Sequence, residues 1–144
     1  MKYEVSVTIN KGIDEVLEKF QDRDAAFEWI TGLTKFELIE GELGKEKSKY
    51  LMEFTNEKGK KSTMKETIEV MNPPLNITTI YEAGSVWNRC ENIFKGHDDH
   101  THYKMITEFK FPWYMGFMGF LFKKMFVKES LKGLNAFKEY AERE

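Results

Sequence analysis

Glu66 stands in a run where Met64, Glu66, Ile68 and Val70 share one parity, while Thr63, Lys65, Thr67 and Glu69 take the other. On a strand the first set points to one face, so Glu66 is expected among apolar side chains in the interior. A carboxylate there is costly unless paired or protonated, which makes Glu66 a candidate polar anchor or general acid/base. A rim position reaching water is the alternative, and a bulge would reverse the parity. Asn88 and Asn92 share a face with Val86, Cys90 and Phe94, opposite Trp87, Arg89, Glu91 and Ile93. If the first set faces inward, two amides and a thiol stand beside Glu66 and can orient the polar end of a ligand. Otherwise they satisfy neighbouring backbone or a buried water.

His97, Asp98, Asp99, His100 and His102 crowd one short stretch, but a tight hairpin with Asp98 and Asp99 at its tip would splay the three rings. Nothing supplies the geometry and supporting hydrogen bonds of a zinc site, so no metal is expected. Cys90 has no evident His partner to make it a nucleophile, and no Ser-His-Asp order, phosphate loop or dinucleotide glycine motif occurs. No cofactor is expected. Lysines 45, 47, 49, 58, 60, 61 and 65 alternate with Glu46, Glu53, Glu57 and Glu66, which reads as a solvated sheet surface, with docking to anionic headgroups as the alternative.

The elements that must position these residues follow from the hydrophobic period. Tyr3, Val5, Val7 and Ile9 alternate with polar residues as a strand. Ile13, Val16, Leu17 and Phe20 form a helical stripe, and a second short helix is expected from an Asp24 N-cap through Trp29 and Ile30 to Gly32. Six further strands are expected at about 36–42, 47–54, 62–70, 77–82, 86–95 and 101–111, cut by turn signals at Gly41, Gly44, Asn56 to Gly59, Asn72-Pro73-Pro74, Gly84 and Gly96 to Asp99. From about Tyr114 to Arg143 the period is helical, with Val127, Leu131, Leu134 and Ala141 on one stripe. The fold class is therefore α+β: a curved, seven-stranded antiparallel sheet with two short helices, wrapped around a long C-terminal helix. The 144 residues, without repeat or linker, read as one domain.

Composition narrows the function. Twenty-four acidic against 22 basic residues leave a net charge of −2, no field for nucleic acid. Aromatics make up 15% of the chain, joined by 8 Met, the material of adaptable apolar pockets as well as of cores. A lone Cys90 excludes an internal disulfide, and the N-terminus lacks the uninterrupted apolar run of a signal peptide. Cytoplasm is the expected compartment.

The order strand, two short helices, six strands, long helix resembles the helix-grip fold of the START-like, Bet v 1-like or SRPBCC superfamily. Residues 13–20, IDEVLEKF, look like its first helix, and Trp29 sits where its second helix often carries an aromatic. His100-Thr101-His102-Tyr103 leading to Glu108-Phe109-Lys110-Phe111 looks like its last strand. Residues 134–142, LNAFKEYAE, are similar to the closing helix of members described as polyketide cyclase/dehydrase and lipid-transport-like. The resemblance implies a small hydrophobic ligand, lipid- or isoprenoid-like, held between sheet and helix. It also leaves open a cyclase- or dehydratase-like enzyme with Glu66 as acid/base, or a filled-core interaction module.

For such a cavity the polar candidates are Glu66, Asn88 and Asn92, and the wall candidates are Met64, Tyr103, Met105, Phe109, Met118, Phe122 and Met125. On one straight helix Met118, Phe122 and Met125 would lie about 180° from Val127, Leu131 and Leu134. Either the helix kinks near Lys123-Lys124, or its first half has a second apolar face. The segment from Trp113 to Phe122 could then serve as a lid, a homodimer contact or a peripheral membrane contact.

Overall fold

The computed structural model describes residues 1–143. The chain runs β1 (Lys2–Ile9), α1 (Ile13–Gln21), α2 (Ala26–Trp29), β2 (Leu33–Glu40), β3 (Lys49–Thr55), β4 (Lys61–Asn72), β5 (Asn76–Ala83), β6 (Val86–His97), β7 (His100–Lys110), a 3-10 turn (Trp113–Met115) and α3 (Phe117–Ala141). The seven strands form one antiparallel sheet in the order β1-β7-β6-β5-β4-β3-β2. β2 to β7 are a meander. The two short helices carry the chain from β1 to the far edge, so that the last strand returns to pair with the first.

Local chemistry explains the connections. Asp14 and Glu15 lie in the first turn of α1 and Lys19 in its last, complementing the helix dipole. Asp22, rather than the expected Asp24, supports the next turn: its Oδ1 accepts the backbone N–H groups of Asp24 and Ala25, each at 3.1 Å. The N-cap of α2 is Ala25, and the helix is only one turn long. α1 rests on the sheet where β6 carries Gly96; a Cβ there would fall 3.0 Å from two Ile13 carbons. The β6–β7 hairpin turns on Asp98 and Asp99, with Asp98 at positive φ. His97 and His100 stack across it at 5.2 Å rather than splaying.

Two departures from simple periodicity matter. A register shift between Ile68 and Val70 interrupts β4, and beyond it Met71, not Val70, packs on the core. In α3, Phe122 leaves helical geometry at φ −114°, ψ 16°, one residue before the expected lysine pair. After this kink Leu134, Phe137 and Ala141 are buried, while Leu131, expected on the same stripe, faces solvent. Spacings of three and four residues put Ser130 into that row in its place.

The main core joins Val5, Ile9, Val16, Ile77, Phe94, Tyr103, Leu134, Phe137 and Ala141. Phe137 is its hub, with ring centroids of Phe20, Trp29 and Tyr103 at 5.3, 4.8 and 6.0 Å. Phe20 and Tyr103 also meet Phe94 at 5.0 and 4.6 Å, tying α1 and α3 to the sheet. Polar ties finish the end of α3. Lys138 Nζ donates to the Thr8 carbonyl at 2.6 Å, and Asn10 N–H donates to Glu142 at 2.8 Å. Truncating the hub as Phe137→Ala is expected to cost about 3–5 kcal/mol. Urea unfolding should show this as a lower midpoint with unchanged slope.

Candidate functional site

α3 lies chiefly against β1, α1 and α2, so the concave face over β3 and β4 is left partly uncovered. The result is a cavity of about 290 Å³ between sheet and helix. Met52, Phe54, Met64, Met105, Leu134 and Phe137 give it apolar walls. Ser130 and Gly133 border it from α3, and a Cβ on Gly133 would meet nothing within 4 Å. A glycine inside a helix weakens it without a packing reason here, and what its missing side chain leaves is space.

The polar residues on the wall are mostly used by the protein itself. Inward parity on β6 holds for Asn88, Cys90 and Asn92, all of which reach the cavity. Asn92 Nδ2 donates to the Ile77 carbonyl at 3.0 Å, and Tyr103 donates to Asn92 Oδ1 at 2.6 Å. Asn88 Nδ2 donates to Thr107 Oγ1 at 2.7 Å and to the Glu108 carbonyl at 3.0 Å. The Cys90 thiol donates to Asn88 Oδ1 at 3.3 Å, and burial pushes its pKa up to about 11. Burial, with Cys90 nearby, also drives the Tyr103 phenol well above its usual range.

Glu66 is buried, 3% exposed, facing the interior as its parity implies. Its charge is met by Arg23, from the loop between α1 and α2, whose Nη1 donates to Glu66 Oε1. The guanidinium carbon also lies 4.4 Å from the Tyr50 ring centroid and 5.0 Å from that of Phe36. Burial pulls the Arg23 pKa down, but the Glu66 carboxylate more than reverses this by charge and hydrogen bond. Burial first, and then the same carboxylate, push the Tyr81 phenol well above its ordinary value.

This ion pair borders a second, smaller cavity of about 70 Å³, not the larger one. Phe20, Trp29, Ile30 and Tyr81 form a common wall between the two. Among the described residues two buried side-chain polar atoms have no hydrogen-bond partner, Trp29 Nε1 and Thr79 Oγ1. Trp29 lines both cavities and Thr79 the smaller. The arrangement offers an apolar chamber, a dividing wall with a free indole N–H donor, and a polar niche behind it.

Of the residues singled out by sequence, the structure brings Met64, Asn88, Asn92, Tyr103 and Met105 around the larger cavity and Glu66 to the smaller. Four wall candidates lie elsewhere. Phe109 packs against Tyr3, Phe111 and Phe126. Met118 is half-buried outside both cavities, and Phe122 and Met125 are exposed, because the part of α3 ahead of and around the kink leaves the concave face. Arg23, Trp29 and Thr79 were missed as site residues. Thr79 shares the parity of Ile77 and Tyr81, a readable signal, whereas nothing in the pattern aims a loop arginine inward. Among the described residues no group of three or more His, Cys, Asp or Glu is placed to hold a metal ion, and no helix is long and apolar enough to cross a membrane.

No family model and no curated protein matches the sequence. Solved structures do match over nearly the whole chain. An aromatase/cyclase, Zhui, from Streptomyces sp. R1128 is 19% identical, covering 99% of this chain and 94% of its own, with a TM-score of 0.77. Protein CV1439 from Chromobacterium violaceum is 13% identical, covering 99% of each chain, with a TM-score of 0.78. The protein Ara h 8.0201 is 12% identical, covering 98% of this chain and 97% of its own, at 0.75. The chain shares the fold of these structures, a curved antiparallel sheet gripping a long C-terminal helix.

Two measurements check the polar groups. Arg23→Met strands a buried carboxylate and is expected to cost about 3 kcal/mol, whereas Arg23→Met combined with Glu66→Gln should recover much of that loss. With Glu66→Gln measured alone to complete the cycle, a double-variant loss equal to the sum of the two single losses would mean the pair is uncoupled. At pH 8 the folded Cys90 should alkylate roughly a hundredfold more slowly than an unfolded thiol from its thiolate fraction alone, since burial holds the proton on.

Proposed function

We propose that the protein binds a small, largely apolar molecule with one polar end, lipid- or isoprenoid-like, as a carrier or sensor. The observation that carries this is the 290 Å³ apolar chamber whose dividing wall holds the unpartnered indole N–H of Trp29. Its volume is near the lower end of the usual range for small-molecule pockets. A longer ligand would have to emerge beside Gly133, where the helix surface is bare.

Affinity would come from burying apolar ligand surface, about 2.5 kcal/mol for each 100 Å² before the costs of association. Orientation would come from an acceptor on the ligand, a carbonyl or hydroxyl oxygen, taking the Trp29 N–H. Thr79 Oγ1 could serve the same polar end as donor or acceptor. Asn88 and Asn92, committed to internal hydrogen bonds, shape the chamber instead. The competing reading, a cyclase- or dehydratase-like catalyst with Glu66 as acid/base, has Arg23 against it: Oε1 is already occupied, and the carboxylate lies outside the main chamber.

Native mass spectrometry of the purified protein, followed by solvent extraction, is expected to reveal a stoichiometric apolar ligand. With that molecule, Trp29→Phe should weaken binding roughly threefold to tenfold, the worth of one hydrogen bond, and leave a pure hydrocarbon probe unaffected. Gly133→Phe should abolish binding, while Gly133→Ala keeps binding and raises stability by up to about 1 kcal/mol. A bare mass together with no thermal shift across a panel of apolar ligands would overturn the proposal.

A further inference from the structure

The chamber does not use the most exposed apolar surface of the molecule. Trp113 is 92% exposed and Phe120 87%, and Tyr114, Phe117 and Leu121 are each more than half exposed. Phe117, Phe120 and Leu121 are spaced i, i+3, i+4, so they project from one side of the first turn of α3. The patch is held in a defined place. Gly119 is buried, and a Cβ there would come within 3.1 Å of Met1 and 3.5 Å of Phe111. Phe126 anchors the far side of the kink against Phe109 and Phe111, at 5.0 and 5.9 Å. The non-helical step at Phe122 separates this turn from the buried stripe that follows.

Charge identifies what covers the patch. In a chain of net charge −2, residues 112–128 contain Lys123, Lys124 and Lys128 and no Asp or Glu. Among the described residues none of these three lysines has a carboxylate within ion-pair distance. A twofold dimer through this surface would bring together two copies of a segment that carries three lysines and no acid before Glu129, a poor charge match. An anionic bilayer surface meets both features at once. Trp and Tyr rings favour the headgroup boundary, Phe and Leu enter the acyl edge, and lysines directly behind them face lipid phosphates.

We propose that residues Trp113–Leu121, with Lys123, Lys124 and Lys128, dock this protein peripherally on an anionic lipid membrane. The contact is superficial, a one-turn wedge rather than a span. It stands apart from the ligand reading, since vesicle binding can occur with an empty chamber and fail with a filled one.

The full-length protein is tested by co-sedimentation with vesicles of phosphatidylcholine alone and of phosphatidylcholine mixed with phosphatidylglycerol. Binding is expected to favour the anionic vesicles and to weaken as salt rises. Lys123→Gln with Lys124→Gln should lower that affinity roughly tenfold to thirtyfold. Trp113→Ser with Phe120→Ser should remove binding to both vesicle types while leaving the melting temperature unchanged, because both side chains are exposed. The proposal is overturned by absence of vesicle binding, by binding indifferent to both double variants, or by a dimer in light scattering that the Trp113→Ser, Phe120→Ser variant dissolves. That last result would assign the patch to a second copy of the chain.

Discussion

The packing of Phe137 against Phe20, Trp29 and Tyr103 determines where α3 lies, and the rest of the interior depends on that position. Aromatic rings fill the gap between helix and sheet at one end and act there as a spacer of fixed thickness. A second tie holds the helix near its middle, where Tyr3 donates to the Phe126 carbonyl at 3.1 Å and shares a 2.8 Å hydrogen bond with Ser130. Both ties sit on the β1 side of the sheet or at the short helices. The helix therefore does not settle onto β3 and β4, where Met52 packs with Ala26 and Leu33 and, together with Phe54 and Met64, lines the chamber.

Polar chemistry is distributed around this frame in two ways. Arg23–Glu66, Asn92–Tyr103 and Asn88–Thr107 are closed pairs, each satisfying groups that burial would otherwise penalise. They set the shape of the walls and, in the case of Arg23, fasten the α1–α2 loop to β4. Trp29 and Thr79 break the pattern. Leaving a buried donor unmet costs about 1–3 kcal/mol, so two such groups along adjoining cavities mark the place where the protein's own hydrogen bonding stops short.

The topology was legible because it rests on periods of two and of 3.6: the seven strands and the first and last helices lie near their expected limits, while the second helix shrinks to a single turn. The inward parity of Glu66 was legible for the same reason, whereas on β6 the period showed that Asn88, Cys90 and Asn92 share a face without saying which face is inward. What failed lies where a period is interrupted. The bulge after Ile68 passed the inward position from Val70 to Met71. The kink at Phe122 sent Met125 and Phe122 outward, and Leu131 traded places with Ser130 on the buried side. The partner of Glu66 was invisible for a different reason. Arg23 reaches it across 43 positions from a loop, and no local pattern encodes that distance.

The same ties that hold α3 off the sheet leave the chamber open to solvent along one side. Water that enters finds few partners, because an ordered water needs two to four polar groups and the walls have already spent most of theirs on one another. Apolar wall left against such water forgoes about 2.5 kcal/mol for each 100 Å² that packing would have supplied. On the proposed reading, a molecule that covers those walls and accepts a hydrogen bond from the Trp29 N–H would recover that term and satisfy the indole together. Ligand and fold would then be coupled by mass action, so that stability rises with ligand concentration.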